Sequence, residues 1–455
     1  MTLEIDDDQN KNELEGSEFE AYQGQIGKNI PQNNSEYQKG LEQWIIEHLM
    51  KKFSFITLSD TKEILIYQDG VFKRGGENKI ETEVEKLYKQ ISTHQIEEIK
   101  NHIRRRTPID RRELNKDSHI LNLKNCLFDT KTFRELPHSP KFLSTIQYPI
   151  KYNPKAKCPK IRQYLKSSIY GPDVKKVLAL DGLAITGDNS FQLSGLSTGS
   201  GNNGKSVLNG LNEELLGKNN VSHVVLQELD KDKFASADLY GKRINICGDL
   251  PSKPLTDTAI FKKIVSGDTI RAQRKHQQPF DFEPKLILWF STNKLPETPD
   301  KTLGFYRRFV FIRFPNNFEG REDRDLLSKL TTEEELSGFL NLILEYRKWI
   351  QRTGRFPGLE SIEEREETYN KMQNSVECFS EECIEEKNGT NIPKEDVYEA
   401  YVLYCNLNNI PKESRESFGK SFKRLGHADA RPSINGNRTY VWKDLSIVNT
   451  TPKED

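Results

Sequence analysis

One eight-residue segment, GSGNNGKS at 199–206, limits the fold of this chain more than any other feature. It fits the pattern G-x-x-x-x-G-K-[ST] and stands between a strand-like run, FQLSGLST, and a helical run, VLNGLNEELLG. Glycines let such a loop turn and present successive backbone N–H groups to phosphate oxygens, while the positive end of the helix points at the same place. The alternative, an ordinary glycine-rich turn, does not require these flanks. The segment therefore predicts a phosphate-binding loop.

The residues of this loop have distinct expected roles. Lys205 would reach the β and γ phosphates of a nucleoside triphosphate, and the hydroxyl of Ser206 would hold Mg²⁺. The helix is supported by Leu208, Leu211 and Leu215, which share one face. We therefore expect ATP and Mg²⁺ as ligands, with the nucleotide held by Gly199, Ser200, Gly201, Asn202, Asn203, Gly204, Lys205 and Ser206.

A carboxylate is needed beside such a loop, because hydrolysis of a nucleotide requires a group that holds the metal shell and orients water. The run GKRINICGDLP contains a short strand-like stretch that ends at Asp249. We predict that Asp249 is this carboxylate and a Mg²⁺ ligand. Taken alone, the segment also fits an aspartate that merely opens the turn DLP.

A second polar residue follows the next apolar run, KLILWFSTNKLP, which is typical of a buried strand. Asn293 stands at its carboxyl end, where side chains meet ligands in an open α/β sheet. We predict that Asn293 positions water or senses the γ phosphate. A turn-forming asparagine is the alternative.

The segment SGDTIRAQRKHQQPFDFEP lies between these two runs and predicts a hairpin with a cationic tip. Arg274, Lys275 and His276 form that tip, which could grip a sugar-phosphate backbone without reading bases. A solvated charged turn fits the same spacing.

A pair of arginines precedes the last strand-like run, GFYRRFVFIRFP. Arginine at a subunit boundary can stabilise charge on the phosphoryl group transferred in the neighbouring chain. Arg307 and Arg308 are candidates for this role, and a surface pair flanking a strand is the alternative reading.

Composition sets outer bounds on the function. The 455 residues include 68 Lys and Arg and 68 Asp and Glu, so any basic surface for nucleic acid must be local. No run of about 18 apolar residues occurs and the N-terminus is acidic, so we expect no membrane span or signal peptide and a cytoplasmic location. The six cysteines and eight histidines show neither C-x-x-C pairs nor metal spacing, so no disulfide framework or zinc site is expected.

Pattern changes along the chain predict five regions within an α/β fold class. The C-terminal region should contain one charged helix from Gly358 to about Glu386, two further helices and a hairpin around Asn435–Gly436 that suggests a winged helix. The regions are a disordered acidic lead at 1–36, an α+β pre-motor domain at 37–150, a helical collar at 151–189, an ATPase domain at 190–357, and a helical and winged-helix domain at 358–455.

In order, GSGNNGKS, ADLYGKRINICGDLP, FKKIVSGDTIRAQRKHQQPFDFEPKLILWFSTNKLP and FYRRFVFIRFP resemble the successive motifs of superfamily 3 helicases. The likeness is closest to the phage and plasmid primase-helicase family related to the poxvirus primase-helicase. Upstream, NCLFDTKTFRELPHSPKFLSTIQYPIKYNPKAKCP resembles the domain before the motor, so the likeness covers roughly residues 60 to 320. It implies an AAA+-like P-loop core, a hexameric ring, 3′ to 5′ movement on single-stranded DNA, and ATP sites shared between neighbours.

The resemblance also assigns roles to residues. Of the two arginines, Arg308 is favoured as the arginine finger because it directly precedes the strand. Many relatives carry Glu or two adjacent acids where Gly248 precedes Asp249 here, so the general base stays open, with Glu228 as a helper. The remaining assignments are Lys205 and Ser206 in the phosphate loop, Asp249 as metal carboxylate, Asn293 as sensor, and Lys275 and His276 at the DNA hairpin.

These observations together predict an ATP-dependent replicative DNA helicase of a phage, plasmid or other mobile element. It would act on single-stranded and forked DNA as a homo-oligomer, with a separate primase or other replication proteins, since no primase domain is recognised. The alternative is an ATP-regulated, origin-binding initiator that does not unwind processively. A small-molecule kinase is disfavoured because no acceptor pocket or lid is visible. Basic residues that could bind duplex DNA in the C-terminal region are Lys420, Lys423, Arg424, Arg438 and Lys443.

Overall fold

The computed structural model describes residues 35–199, 201–232, 234–276, 278–408, 410–434, 437–438 and 440–448. The predicted acidic lead at 1–36 falls, except for its last two residues, outside these ranges. Contacts along the backbone divide the chain into two compact units. The first comprises Met1–Asp117 with Pro137–Gln147, and the second comprises Ser118–Leu136 with Tyr148–Asp455.

The first unit packs three helices against a small sheet, with strand order β3-β2-β1-β4. β2 and β3 form a hairpin around Asp69 and Gly70, and both residues have positive φ, as a two-residue hairpin turn requires. Ser92 and Gln95 form a capping box that starts the third helix. The elements are α1 (Ser35–Lys52), β1 (Phe55–Leu58), β2 (Ile64–Gln68), β3 (Val71–Arg74), α2 (Gly76–Leu87), α3 (Thr93–Arg106) and β4 (Pro108–Ile109).

The second unit begins with a small antiparallel sheet and two helices. The sheet contains β5 (Ile120–Asn122), β6 (Leu127–Asp129) and β7 (Arg134–Leu136), which pair in antiparallel order. These strands group with the second unit, although the sequence pattern assigned them to the pre-motor domain at 37–150. Two helices, α4 (Pro159–Ser168) and α5 (Val174–Thr186), follow in the region predicted as a helical collar.

A five-stranded parallel sheet forms the centre of the second unit, as the α/β prediction requires. Its strand order is β14-β8-β13-β10-β9, and the strands are buried because helices cover the sheet. The elements are β8 (Ser194–Thr198), α6 (Lys205–Leu216), β9 (Val221–Ser222), α7 (Leu226–Lys231), β10 (Ile244–Cys247), α8 (Ala259–Ser266), β11 (Ile270–Ala272), β12 (Phe280–Phe282), β13 (Ile287–Thr292), α9 (Leu303–Tyr306) and β14 (Phe309–Arg313).

The remaining elements follow the sheet in chain order. They are α10 (Leu326–Leu330), α11 (Glu333–Thr353), α12 (Ile362–Gln373), α13 (Ser375–Cys383), β15 (Ile384–Pro393), α14 (Lys394–Leu407), α15 (Arg415–Arg424), β16 (Asp429–Ala430), β17 (Ser433–Ile434), β18 (Asn437–Arg438) and β19 (Val441–Ile447).

The single charged helix predicted from Gly358 to about Glu386 is wrong. Two helices occupy this stretch, separated at Asn374, whose φ of −130° and ψ of 49° are not helical. The chain then enters β15, whose first residues pair with β19. The acidic residues that suggested a helix surface lie partly on this exposed strand. The pairing partner of β15 is β19, near the end of the chain, so a local pattern could not reveal it.

One continuous apolar core connects the parallel sheet with the C-terminal elements. It includes Phe290 of β13, Phe311 of β14, Tyr369 of α12, Phe379 of α13 and Trp442 of β19. The predicted division at 357 and 358 therefore crosses a shared core rather than a linker. Among the described residues, no helix is both long enough and apolar enough to cross a membrane.

Candidate functional site

The predicted phosphate loop connects the carboxyl end of β8 to the first residue of α6. Gly201 and Gly204 have φ of 105° and 97°, in the left-handed region that favours glycine. At Gly199, an added Cβ would stand 2.1 Å from Nδ2 of Asn203, so only glycine fits that position without rearrangement. The strand, turn and helix are therefore arranged as the sequence predicted. Ser200 lies outside the described residues.

Lys205 is held inside the loop that it belongs to. Its Nζ donates to the backbone oxygen of Gly199 at 2.7 Å and to Oδ1 of Asn293 at 2.8 Å. Burial lowers the pKa of Lys205 to about 8, while the negative charge of Asp249 acts in the opposite direction. Both acceptors of this ammonium are neutral, so its hydrogen bonds leave the positive charge unbalanced. An anion would complete the site.

Three strand ends meet beside this lysine. Because β8, β13 and β10 are parallel neighbours, their carboxyl ends lie along one edge of the sheet. The backbone N–H of Leu250 donates to the oxygen of Ser291 at 2.8 Å, which joins the end of β10 to that of β13. Asp249 and Asn293 therefore reach the same cleft as the loop, and Ser206 at the start of α6 lines it too.

The loop is braced by side chains that the sequence did not single out. The hydroxyl of Tyr164 on α4 donates to the backbone oxygen of Gly204 at 2.8 Å. Below the loop, Nε1 of Trp289 donates to Oγ of Ser197 at 3.0 Å and fixes β13 to β8. Burial raises the pKa of Tyr164, so its hydroxyl stays a neutral donor. Nothing local in the sequence marks Tyr164, because α4 meets the loop only in the folded chain.

The cleft over the loop encloses about 790 Å³, within the range of small-molecule sites. Helix α4 contributes one wall through residues such as Gln163 and Ser167. The segment after β14 contributes another through Phe318, Leu326 and Leu330. Charged residues of the same segment, among them Arg321 and Asp323, line the cleft too, so its walls are partly polar and partly apolar.

The residues present fit a nucleotide with a divalent cation. Asn203 lines the cleft, and its buried Nδ2 has no hydrogen-bond partner, so a donor beside the loop is left for a ligand oxygen. The exposed side chains of Ser206 and Asp249 supply oxygen ligands of the kind that Mg²⁺ prefers. Among the described residues, no group of three or more His, Cys, Asp or Glu side chains could hold a metal alone. A metal here would need phosphate oxygens and water as well.

A second carboxylate lies near the end of β10. Burial, with a smaller contribution from the charges of Asp249 and Glu228, raises the pKa of the Cys247 thiol to about 11. Both carboxylates are therefore close to the strand end that carries the predicted metal ligand. Glu228 comes from α7, and its side chain is exposed.

The predicted hairpin is present as β11 and β12, with Arg271 opposite Asp281. Lys275 and His276 are exposed at the tip, as predicted. Arg274 is only half exposed, because its guanidinium lies over the rings of Phe280 at 5.5 Å and Tyr240 at 5.9 Å. Arg274 therefore packs on the hairpin, whereas its two neighbours face solvent.

The two arginines stand at the amino end of β14, at the opposite edge of the sheet from the phosphate loop. Arg308 is only 7% exposed, and its guanidinium donates to Oγ of Ser266 at 2.9 Å and to the backbone oxygen of Gly304. Burial lowers the pKa of Arg308, and the charge of Arg307 lowers it further. Arg307 is exposed and donates to Oε1 of Gln192 at 2.6 Å. Neither arginine lines the cleft of its own chain.

The C-terminal helices and strands neutralise part of the predicted basic surface. Lys420 pairs with Glu416, and Lys423 pairs with Asp429 at 2.9 Å. Arg424 and Lys443 are exposed. The strands of the predicted hairpin are present as β17 and β18, while its turn, Asn435–Gly436, and the side chain of Arg438 lie outside the described residues.

Comparison with known proteins gives two family matches. Residues 24–168 match a family described as D5 N terminal like, and residues 197–308 match a family of unknown function. A helicase-named protein of Acanthamoeba polyphaga mimivirus is 28% identical over 200 residues, which are 39% of this chain and 21% of that protein. A helicase-named protein of Sputnik virophage is 23% identical over 188 residues, 38% of this chain and 24% of that protein. The chain thus spans less than a quarter of the length of these relatives.

Solved structures were compared as well. The apo structure of the NrS-1 C-terminal region has a TM-score of 0.45 and 11% identity, over 88% of this chain and 98% of that chain. A second structure of this region, residues 305–718, has a TM-score of 0.44 at the same identity, over 89% and 99% of the two chains.

Proposed function

We propose that this chain is the motor of an ATP-dependent replicative DNA helicase of a phage, virus or other mobile element, with an AAA+-like core of the superfamily 3 type. One observation carries the proposal: Lys205 in a glycine-rich loop after β8 bonds to Asn293 at the end of β13, beside Asp249 after β10. The helicase-named relatives and the D5 N terminal like match support a DNA motor over other phosphate-binding proteins.

The residues of the cleft divide the work of hydrolysis. Backbone N–H groups of the loop and the amino end of α6 bind phosphate oxygens, and Lys205 leaves Gly199 and Asn293 to bind the β and γ phosphates. The amide of Asn293 is then free to orient water. Mg²⁺ bound at Ser206 and Asp249 would neutralise charge on the phosphate oxygens. Asp249 or Glu228 would accept the proton of the attacking water.

We propose that Arg307, rather than Arg308, is the arginine finger. A finger must extend from one subunit into the site of the next, and the guanidinium of Arg308 is already bonded inside its own chain. Arg307 is exposed beside it, and its guanidinium donates one hydrogen bond to the side chain of Gln192. A hexameric ring that places the amino edge of one sheet against the carboxyl edge of the next would bring Arg307 to the γ phosphate.

DNA contacts are proposed for two surfaces. Lys275 and His276 at the exposed hairpin tip would hold the backbone of a single strand in the ring. The order α13-β15-α14-α15-β16-β19, with three strands in one antiparallel sheet, supports a winged helix. Its exposed Arg424 and Lys443 would bind duplex DNA or an origin. These are surfaces that a fork-bound motor would need.

The test compares wild-type protein with the Lys205→Ala variant in ATP hydrolysis, with and without single-stranded DNA, and in separation of a forked duplex. Lys205→Ala removes a buried charge contact to phosphate worth about 3 kcal/mol, so we expect ATP turnover to fall by about 100-fold. Lys218→Ala, an exposed lysine just beyond the same helix, is the matched control and should behave as wild type. Unchanged rates in Lys205→Ala would refute the proposal.

The C-terminal sheet and helices also favour a second candidate, an origin-binding initiator in which ATP controls assembly. Sequence-specific binding to duplex DNA without strand separation would favour this candidate. ATP turnover that nucleic acid does not stimulate would instead favour a small-molecule kinase.

A further inference from the structure

The cleft continues past the phosphate loop into a partly apolar chamber. Lys205 and Asn293 are the groups in the cleft that we expect to bind phosphate. The segment after β14 lines the same cleft with the apolar side chains of Phe318, Leu326 and Leu330, among the charged residues Arg321, Glu322, Asp323 and Lys329. The cleft therefore suits a ligand that combines an anionic part with a flat or apolar part.

Phe318 is fixed to the phosphate loop by its own backbone. Its N–H donates to the backbone oxygen of Asn202 at 2.7 Å, and its carbonyl oxygen accepts from the N–H of Arg321 at 2.8 Å. Gly320, with φ of 77°, makes the tight turn between them. These bonds hold the backbone at Phe318 next to the phosphate loop.

The phenyl ring itself is not explained by packing. Phe318 is half exposed, although its loop is a surface segment where polar residues are the rule. Within the described residues, no other aromatic ring packs against it, and it lines the cleft. A partly exposed ring that lines the cleft beside a phosphate-binding loop is suited to stacking on a planar ligand.

We infer that the chamber beside Phe318 is a nucleobase subsite, in which the base of the bound nucleoside triphosphate stacks on this ring. The inference rests on the proposed function and adds the residue that holds the nucleoside. Stacking uses the π face that every base carries, so Phe318 adds affinity without selecting one base. The loop then binds the phosphates, and stacking on Phe318 restrains the position of the base.

The experiment measures binding of ATP and of inorganic tripolyphosphate, each with Mg²⁺, to the whole chain by titration calorimetry. Phe318→Ala should weaken ATP binding by about tenfold and leave tripolyphosphate binding unchanged. Phe318→Tyr, which keeps the ring, should bind ATP as wild type does. Glu319→Ala, at the neighbouring exposed position, is the matched control.

Two outcomes would overturn the subsite. Equal loss of ATP and tripolyphosphate binding in Phe318→Ala would mean that the ring only supports the loop, and unchanged ATP binding would mean that the base lies elsewhere. Both leave the proposed function intact. Failure of wild-type protein to bind either compound would refute the proposed function and this inference together.

Discussion

The two edges of the parallel sheet are the one where its strands end and the one where they begin. They differ in whether a single chain forms a cleft there. At the carboxyl edge, the loop after β8, Asp249 after β10 and Asn293 after β13 converge on one cleft. At the amino edge, Arg307 before β14 is exposed and does not line this cleft, and the hairpin tip residues Lys275 and His276 are exposed outside it too. The first edge therefore forms a cleft within a single chain. The exposed side chains outside it are free to contact another molecule.

This difference follows from the topology. In a parallel sheet every strand begins at one edge and ends at the other, so residues before strands cannot reach residues after them within one chain. Asn189, just before β8, bonds to the backbone oxygens of Ile264 and Leu286, which holds the base of the hairpin near the amino edge. A second copy of the chain is the simplest way to bring the two edges together.

The strongest test of this comparison is the Arg307→Ala variant. If the amino edge of one subunit completes the site of the next, turnover should fall by about 1,000-fold while ATP binding is retained, because only the transferring phosphoryl group gains from the arginine. Mixing this variant with Lys205→Ala subunits should recover part of the activity, since some interfaces then combine an intact Lys205 with an intact Arg307. Steady-state ATPase assays of the mixtures measure this recovery.

Arg308→Ala separates a structural role from a catalytic one. Removing its guanidinium leaves Oγ of Ser266 and the oxygen of Gly304 without their donor, so the melting temperature should fall by about 2–4 °C for each kcal/mol lost. Arg307→Ala should melt as wild type. If instead Arg308→Ala melts normally and abolishes turnover, the finger is Arg308. Full ATPase activity in a monomeric preparation would contradict the idea that one subunit completes the site of the next.

The carboxyl edge can be tested alone by varying pH. Burial holds the pKa of Lys205 at about 8, and the loop needs the protonated ammonium to bind phosphate. As pH rises above that value, the ammonium fraction falls about tenfold per unit, so the Kd for ATP at pH 9 should be about ten times the Kd at pH 7. Lys205→Arg keeps its charge across this range and should show a flat profile. A flat wild-type profile would contradict the assignment.

The smallest expected effect concerns the hairpin tip. Replacing Lys275 and His276 with Ala should weaken binding to single-stranded DNA by about fivefold for each lost charge contact of about 1 kcal/mol. The slope of log affinity against log salt should fall by about 1 for each phosphate released. Fluorescence anisotropy with a labelled oligonucleotide measures both, and Lys275→Arg is the control that keeps the charge. ATP binding without DNA should not change. Normal stimulation of ATP turnover by DNA would mean that the hairpin tip does not contact DNA.

The sequence predicted those parts of the fold whose turn residues and apolar runs follow one another directly along the chain. The loop at 199–206, the strands that end near Asp249 and Asn293, and the hairpin at 270–282 were recognised because their turn residues and apolar runs are contiguous. The stretch after Gly358 was misread because charge density resembles a helix surface, whereas the strand there depends on a partner near the end of the chain.

Contacts between distant segments set the limit for the site. Tyr164 and Phe318 both reach the phosphate loop, one through a side-chain bond to Gly204 and the other through a backbone bond to Asn202. Neither has a sequence signature, because a single aromatic residue has no periodicity. For the arginine finger, the sequence favoured Arg308 because it directly precedes the strand. We propose Arg307 instead because Arg308 is buried, and this burial depends on Ser266 and Gly304 around its guanidinium.

The strand order of the central sheet has a consequence for synthesis of the protein on the ribosome. β8, which leads into the phosphate loop, lies between β13 and β14, the last two strands of the sheet to be made. A nascent chain that ends before Arg313 therefore lacks at least one neighbour of β8, and the backbone of β8 stays unpaired on that side. Competence to bind nucleotide should emerge late and abruptly during translation, once these strands have left the exit tunnel.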